Sequence, residues 1–170
     1  LYHGVIHRGR GISPLIRLTA SSKNITSIII GDGVEKKRFI DYAKSTKGGG
    51  RVFFISKVPY LELIQYAASC DLGWCVIDGK SLSYNYALPN KLFEYLLAGL
   101  PVVASPLINI KQIIYNHKVG CCVDYNNYPK QRTVIKNLMK RKKEASYYRG
   151  VCSQFFTWEK QKNNFLEIFN

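Results

Sequence analysis

Along the chain, apolar and polar positions alternate between two periods. Short runs of β-branched and aromatic residues have the length of strands with both faces covered: YHGVI (2–6), TSIIIG (26–31), RVFFI (51–55), DLGWCV (71–76), PVVAS (101–105) and GCCVDY (120–125). Between them apolar residues recur at helical spacing over 11–20, 33–46, 60–68, 90–98, 106–116 and 129–143, with further helix over 144–156 and 158–169. Strand followed by helix, repeated in this way, predicts an α/β fold: a doubly wound, six-stranded parallel sheet with helices on both faces. No internal repeat or low-complexity tract breaks the pattern.

Composition narrows the picture. At 170 residues and 46% apolar, residues 1–170 suit a single domain with a substantial core. The chain opens LYHGVIHRGRG, without a starting Met or a signal-length apolar run, and the expectation is a fragment of a longer protein. No apolar run approaches the ~18–20 residues of a membrane span, so a soluble domain is expected. Five cysteines (Cys70, Cys75, Cys121, Cys122 and Cys152) are an odd count without C-x-x-C spacing, which argues for buried thiols in a reducing compartment, the cytoplasm, over zinc or disulfides. A formal charge of +14 points to anionic partners: a phosphorylated small molecule, acidic lipid or nucleic acid. Part of it lies in PKQRTVIKNLMKRKK (129–143), which reads either as a solvated amphipathic face or as a membrane-surface patch.

Two loops and one helix carry candidate chemistry. In HGVIHRGRGIS (3–13), glycines between a strand and a helix start let backbone amides approach an anion, and Arg8 and Arg10 offer charge-assisted hydrogen bonds. The spacing is neither a dinucleotide fingerprint nor a P-loop. IDGKSLSYNYALP (77–89) is longer than the ~2–6 residues usual after a strand, and long loops at the carboxyl end of a parallel sheet are where ligands bind. In ALPNKLFEYLLAGLPVVAS (87–105), Pro89 opens a helix whose first amides are free to meet an anion, and Gly99 closes it. Leu92, Phe93, Leu96 and Leu97 form its expected apolar stripe, Lys91 is a mobile cation near its start, and Glu94 shares the face of Asn90 and Lys91. The bland alternative for Glu94 is an exposed ion pair with Lys91 three residues back.

Taken in order, YHGVIHRGRGI, IIIGDG, RVFFISKVPYLELIQYAASCDLG, SLSYNYALPNKLFEYLLAGLPVVAS and VGCCVD resemble the C-terminal, donor-binding domain of GT-B glycosyltransferases, in particular the group 1 (family 4) retaining enzymes. FTWEKQKNNFLEIF (156–169) resembles the helix that closes such chains. The resemblance implies a Rossmann-like domain that binds a nucleotide diphosphate sugar, UDP- or GDP-linked, for retaining transfer to a glycan or lipid-linked acceptor. It places the diphosphate among Gly4, Arg8, Arg10, Gly11, Pro89, Asn90 and Lys91, the ribose on Glu94, the base against Lys57, Val58 and Pro59, and the sugar near Tyr84, Asn85, Tyr86 and Leu88. Relatives carry an Arg after the first-strand Gly where this chain has Val5, and a Glu near the sugar where it has Tyr86. The implied chemistry is leaving-group stabilisation by Arg10 and Lys91 with neither metal nor cofactor, and no Asp-x-Asp pair appears. The implied partner is an N-terminal acceptor domain outside this chain, with an anionic membrane surface as a further candidate and no nucleic acid expected.

Three histidines add little: His3 and His7 border the first loop and His117 has no evident partner. Two rivals stay open, a GT-B nucleotide-sugar 2-epimerase and a basic nucleic-acid-binding module. The second would need arginines and aromatics along one face, whereas Phe53, Phe54, Trp74 and Phe93 fall on core-like positions.

Overall fold

A computed structural model describes residues 1–167. Six strands pair in parallel in two blocks, β1 (Tyr2–His3), β2 (Ser27–Ile30) and β3 (Val52–Ile55), and β4 (Gly73–Cys75), β5 (Val102–Ala104) and β6 (Gly120–Cys122). The blocks meet at Leu1, whose ammonium donates to the Leu72 carbonyl at 2.8 Å and whose carbonyl accepts from the Trp74 amide at 2.7 Å. The resulting order is β3-β2-β1-β4-β5-β6, which reverses direction between β1 and β4, where doubly wound sheets bind ligands. Every strand is shorter than the run that predicted it. β1, β4 and β6 each lose three residues, and at β1 the cause is Gly4, which takes φ 119° and leads the chain out of the ladder after His3.

Helices α1 (Ile12–Ala20), α2 (Lys36–Ser45), α3 (Tyr60–Ala68), α5 (Asn90–Ala98), α6 (Ile108–Asn116), α7 (Tyr128–Lys140), α8 (Ala145–Phe155) and α9 (Trp158–Leu166) follow the expected segments. The last part of the expected 158–169 helix lies outside the described residues. One further turn, α4 (Leu82–Asn85), sits inside the 77–89 segment, whose sequence predicts loop throughout; Ser81 caps it by accepting from the Tyr84 amide at 3.2 Å. α5 stops at Gly99, whose φ of 88° lets the Leu100 amide return to the Tyr95 carbonyl at 2.9 Å.

The helices form two layers. Leu15, Ile16, Phe39 and Ile135 bury α1, α2 and α7 against one face of the sheet, while Ala67, Leu92, Leu96, Ile110 and Tyr148 bury α3, α5, α6 and α8 against the other. Ile29 and Ile30, adjacent on β2, enter opposite layers, as the period of a strand requires. Two expected core positions are corrected. Phe53 is 53% exposed because β3 is an edge strand, and Leu97 is exposed because the buried face of α5 runs through Lys91, Leu92, Tyr95, Leu96 and Ala98. All five cysteines are free, with Cys75 and Cys152 buried. No helix among the described residues is long and apolar enough to cross a membrane.

Candidate functional site

The segment Gly4–Gly11 crosses the carboxyl ends of the strands and is gripped from both sides by backbone. On one side the Gly4 amide donates to Ile30 O at 3.0 Å and the Ile6 amide to Asp32 O at 2.9 Å. A Cβ on Gly31 would lie 2.0 Å from Gly4 O, and one on Gly33 would lie 2.2 Å from Ile6 O, which explains both glycines of GDG (31–33). On the other side the Asp78 amide donates to Gly9 O at 2.8 Å. Gly11, at φ 76°, starts α1 so close to β4 that a Cβ would meet Val76 O at 2.2 Å, and the buried Trp74 indole donates to Gly11 O at 2.8 Å.

α5 points its N-terminus at this loop. Pro89 is extended and no side chain caps the helix; the Leu92 amide returns to Pro89 O at 3.0 Å, and the Asn90 and Lys91 amides remain available to an anion. Lys91 is not the mobile cation its position suggested. It is 8% exposed, with Nζ 3.9 Å from the centre of the Tyr2 ring and 3.8 Å from where a Gly4 Cβ would stand. Among the described residues it forms no ion pair. Burial lowers its pKa to about 8 and the Arg10 charge pushes the same way, while the Glu94 carboxylate pulls it back only from beyond ion-pair distance, so the ammonium is buried without a direct ion pair.

Glu94 lies one turn along and does not pair with Lys91 as the bland reading had it. Its Oε2 stands 3.4 Å from His3 Nε2 without a hydrogen bond, and among the described residues nothing donates to the carboxylate. Burial raises the Glu94 pKa. His3, held T-shaped against Tyr95, has its pKa lowered to about 4 by burial and then by the Lys91 charge, so at neutral pH it is uncharged. Glu94 therefore offers an unsatisfied acceptor pair beside the Lys91 ammonium.

A cavity of about 320 Å³ opens beside these groups, lined in part by His3, Gly4, Val5, Lys57, Val58 and Tyr60. Pro59, grouped in sequence with Lys57 and Val58, instead precedes the first turn of α3. Asp32 shapes the cavity rim by accepting from the Lys57 amide at 2.9 Å and from Lys36 Nζ at 2.6 Å, and these bonds hold its carboxyl below the usual range. An equally large cavity at the opposite ends of the strands, lined by Leu1, Leu18, Ile25, Leu72 and Met139, shares only Trp74 with the groups described above.

Over the other flank lies the 77–89 segment. The Arg10 guanidinium sits 5.0 Å from the centre of the Tyr84 ring, and Arg10 also perturbs Tyr2, Cys75 and Lys91 electrostatically, so it belongs to the same cluster. Tyr86 and Leu88 are exposed and Asn85 half-buried, with Asn109 donating to Tyr86 O at 2.8 Å. Arg8 is engaged elsewhere: its Nε donates to Glu35, which also accepts from Arg38 at 2.8 Å. His117, without an evident partner in sequence, packs its ring 4.5 Å from Phe155 and 5.2 Å from Phe156. Among the described residues no group of three or more His, Cys, Asp or Glu is placed to hold a metal.

Gly4, Arg10, Gly11, Lys91 and Glu94 thus converge at the switch point, joined by His3, Tyr2, Tyr60, Trp74 and Asp32, which sequence reasoning did not assign to the site. Asp32 was marked only by its place between two glycines.

An uncapped helix end, a buried cation outside any ion pair and an open carboxylate thus meet at the switch point of a doubly wound α/β sheet. The chain belongs to the glycosyl transferases group 1, whose family description matches residues 1–149. No curated protein matches the sequence. Among solved structures, HepE of Anabaena in complex with UDP-glucose matches with a TM-score of 0.80 at 18% identity over 99% of this chain and 47% of its own. Sucrose-phosphate synthase of Thermosynechococcus elongatus matches at 0.80 and 15% identity over 99% and 44%, respectively. WaaG, a glycosyltransferase involved in lipopolysaccharide biosynthesis, matches at 0.75 and 16% identity over 96% and 45%. The chain spans less than half the length of each, and the shared fold is the Rossmann-like domain of GT-B glycosyltransferases.

Proposed function

We propose that this domain binds a nucleoside diphosphate sugar across the switch point and is the donor half of a retaining, metal-independent glycosyltransferase. A preceding domain would supply the acceptor, a glycan or lipid-linked saccharide. The observation that carries the reading is the Lys91 ammonium, buried beneath Gly4 at the open end of α5 with no carboxylate in ion-pair contact among the described residues. An unpaired buried charge is costly, and a diphosphate seated there supplies the missing counter-charge.

The remaining roles follow from distance to that point. Arg10 and the α5 amides complete the diphosphate cradle, with Gly4 and Gly11 giving backbone access and Pro89 and Asn90 shaping the turn. Arg8 reaches the diphosphate only by leaving Glu35. Glu94, with no donor to satisfy it, accepts from the ribose hydroxyls, and the cavity at Lys57 and Val58 takes the base. Tyr84, Asn85, Tyr86 and Leu88 face the sugar. As the sugar–phosphate bond breaks, negative charge grows on the diphosphate, and the Arg10 and Lys91 cations with the helix dipole stabilise it. UDP-glucose bound to HepE supports a uridine nucleotide as the first ligand to try.

Calorimetric titration of the domain with UDP, GDP and a short RNA tests the proposal. Nucleoside diphosphate binding that is weakened by both Arg10→Ala and Glu94→Gln is expected. Salt-sensitive RNA binding with no response to UDP or GDP would overturn it and restore the nucleic-acid reading.

A further inference from the structure

The charge of +14 is not spread evenly over the two helical layers. Helices α1, α2 and α7 together carry nine Lys and Arg against one acidic residue, Asp41, whereas α3, α5, α6 and α8 carry three against two. α7 is the most one-sided. Gln131 and Ile135 bury its inner face, and Arg132, Lys136 and Lys140 recur every fourth residue along an exposed stripe. Arg141, Lys142 and Lys143 follow its end, with Lys142 paired to Asp71 at 3.6 Å. Within α7, Lys130 approaches Asp124 at 3.8 Å, but the three stripe residues have no acidic partner among the described residues. The stripe borders α1, since Arg132 Nη1 donates to Ser21 O at 3.3 Å, and α1 in turn packs beside α2.

The exposed large apolar side chains lie elsewhere. None is on α1, α2 or α7, and Phe53 enters the sheet's other side, opposite in pleat to Val52 and Phe54. The aromatic rings of this face, Tyr42 and Tyr128, are half-buried and engaged by Arg17, whose guanidinium lies 5.9 and 5.2 Å from their centres, and Val34 just before α2 is a single exposed apolar side chain, too little to anchor the face in hydrocarbon. What remains is a broad, cation-studded surface of three helices side by side, suited to a plane of fixed negative charge.

We propose that the α1–α2–α7 face docks the domain electrostatically on an anionic lipid bilayer, with Arg132, Lys136 and Lys140 as its principal contacts. The inference rests on the distribution of charge and does not depend on the nucleotide reading. Contact through ammonium and guanidinium groups above the headgroups is peripheral, reversible and screened by salt. Each basic residue near such a surface contributes about five-fold in affinity, so removing the three stripe charges weakens binding about a hundred-fold.

The test is flotation of the whole 170-residue chain with vesicles of phosphatidylcholine and phosphatidylglycerol in equal parts, beside vesicles of phosphatidylcholine alone. Capture by the mixed vesicles only is expected, and its loss on going from about 0.1 M to about 1 M NaCl. The triple variant Arg132→Gln, Lys136→Gln, Lys140→Gln should release the protein while its thermal transition stays in place. A second triple variant, Lys111→Gln, Lys160→Gln, Lys162→Gln, removes the same charge from other helices and should still float. Equal loss in both variants would reduce the effect to net charge and overturn the proposal. So would indifference to lipid charge, or retention of a duplex or single-stranded RNA in preference to the mixed vesicles.

Discussion

Replacing Lys91 by Met separates what the residue does for the fold from what it does for a ligand. In the ligand-free domain the ammonium is buried and unpaired, and its pKa is lowered to about 8 from an ordinary value of 10.5. That difference corresponds to about 3 kcal/mol by which the folded state disfavours the charged form. Contact with the Tyr2 ring, at 3.9 Å, returns part of it. Met keeps most of the apolar stem and removes the charge, so Lys91→Met should stabilise the empty domain at neutral pH by roughly 1–3 kcal/mol, a rise of several degrees in Tm. The sign of the pH dependence follows. The unfolded chain holds this proton up to its ordinary pKa while the folded domain releases it near 8, so wild-type stability gains between about pH 8 and the ordinary lysine range, and the variant loses this gain. Toward a nucleoside diphosphate the variant should behave oppositely, losing about 10- to 100-fold in affinity with its charge-assisted contact. Wild-type affinity should fall as pH rises above 8 and level off after the same roughly 10- to 100-fold loss, because only the ammonium form has a charge to offer. Scanning calorimetry and isothermal titration on the same samples read both effects. A variant that is less stable than wild type and binds UDP equally well would refute the reasoning, since it would show Lys91 to be a packing residue only.

Three further outcomes are expected. Glu94→Gln should weaken binding of UDP or GDP by roughly ten-fold or more while leaving inorganic pyrophosphate affinity unchanged, because the carboxylate meets ribose and not phosphate; Arg10→Ala should weaken both alike, and competition titrations distinguish the two patterns. Gly11→Ala should cost more than about 2 kcal/mol in urea unfolding, since the new Cβ would enter contact with Val76 O at 2.2 Å on a left-handed backbone; a loss below that would show that α1 can slide off β4. Trp74→Phe removes the indole donor to Gly11 O and should destabilise by roughly 1–3 kcal/mol, with little loss in a protein whose first loop is held by the glycine contacts alone.

Much of this architecture was legible because its signals were local and mutually consistent. The bounds of α3 and α5 were predicted to the residue, since Pro59 and Pro89 fix where those helices begin and Gly99 fixes where α5 ends. Strand ends were overread because an apolar residue after a strand looks like one inside it: Val5 and Ile6 continue the pattern of β1, yet Gly4 has already turned the backbone away. Within the site, sequence spacing brought Lys91 and Glu94 onto one face but gave no depth. That Lys91 lies under the first loop follows from Tyr2 and Gly4, nearly ninety residues away along the chain. The same limit hid His3 as the neighbour of Glu94 and sent Arg8 to Glu35, a pairing that only the folded loop creates.

Where the first loop meets residues 31–33, main chain rests directly on main chain, with Gly31 against Gly4 O and Gly33 against Ile6 O. The two segments are therefore a matched pair, like a key cut for one lock. Anyone exchanging one of these segments between members of this family would have to carry its counterpart along, or main chain would collide with main chain however well the new side chains were chosen.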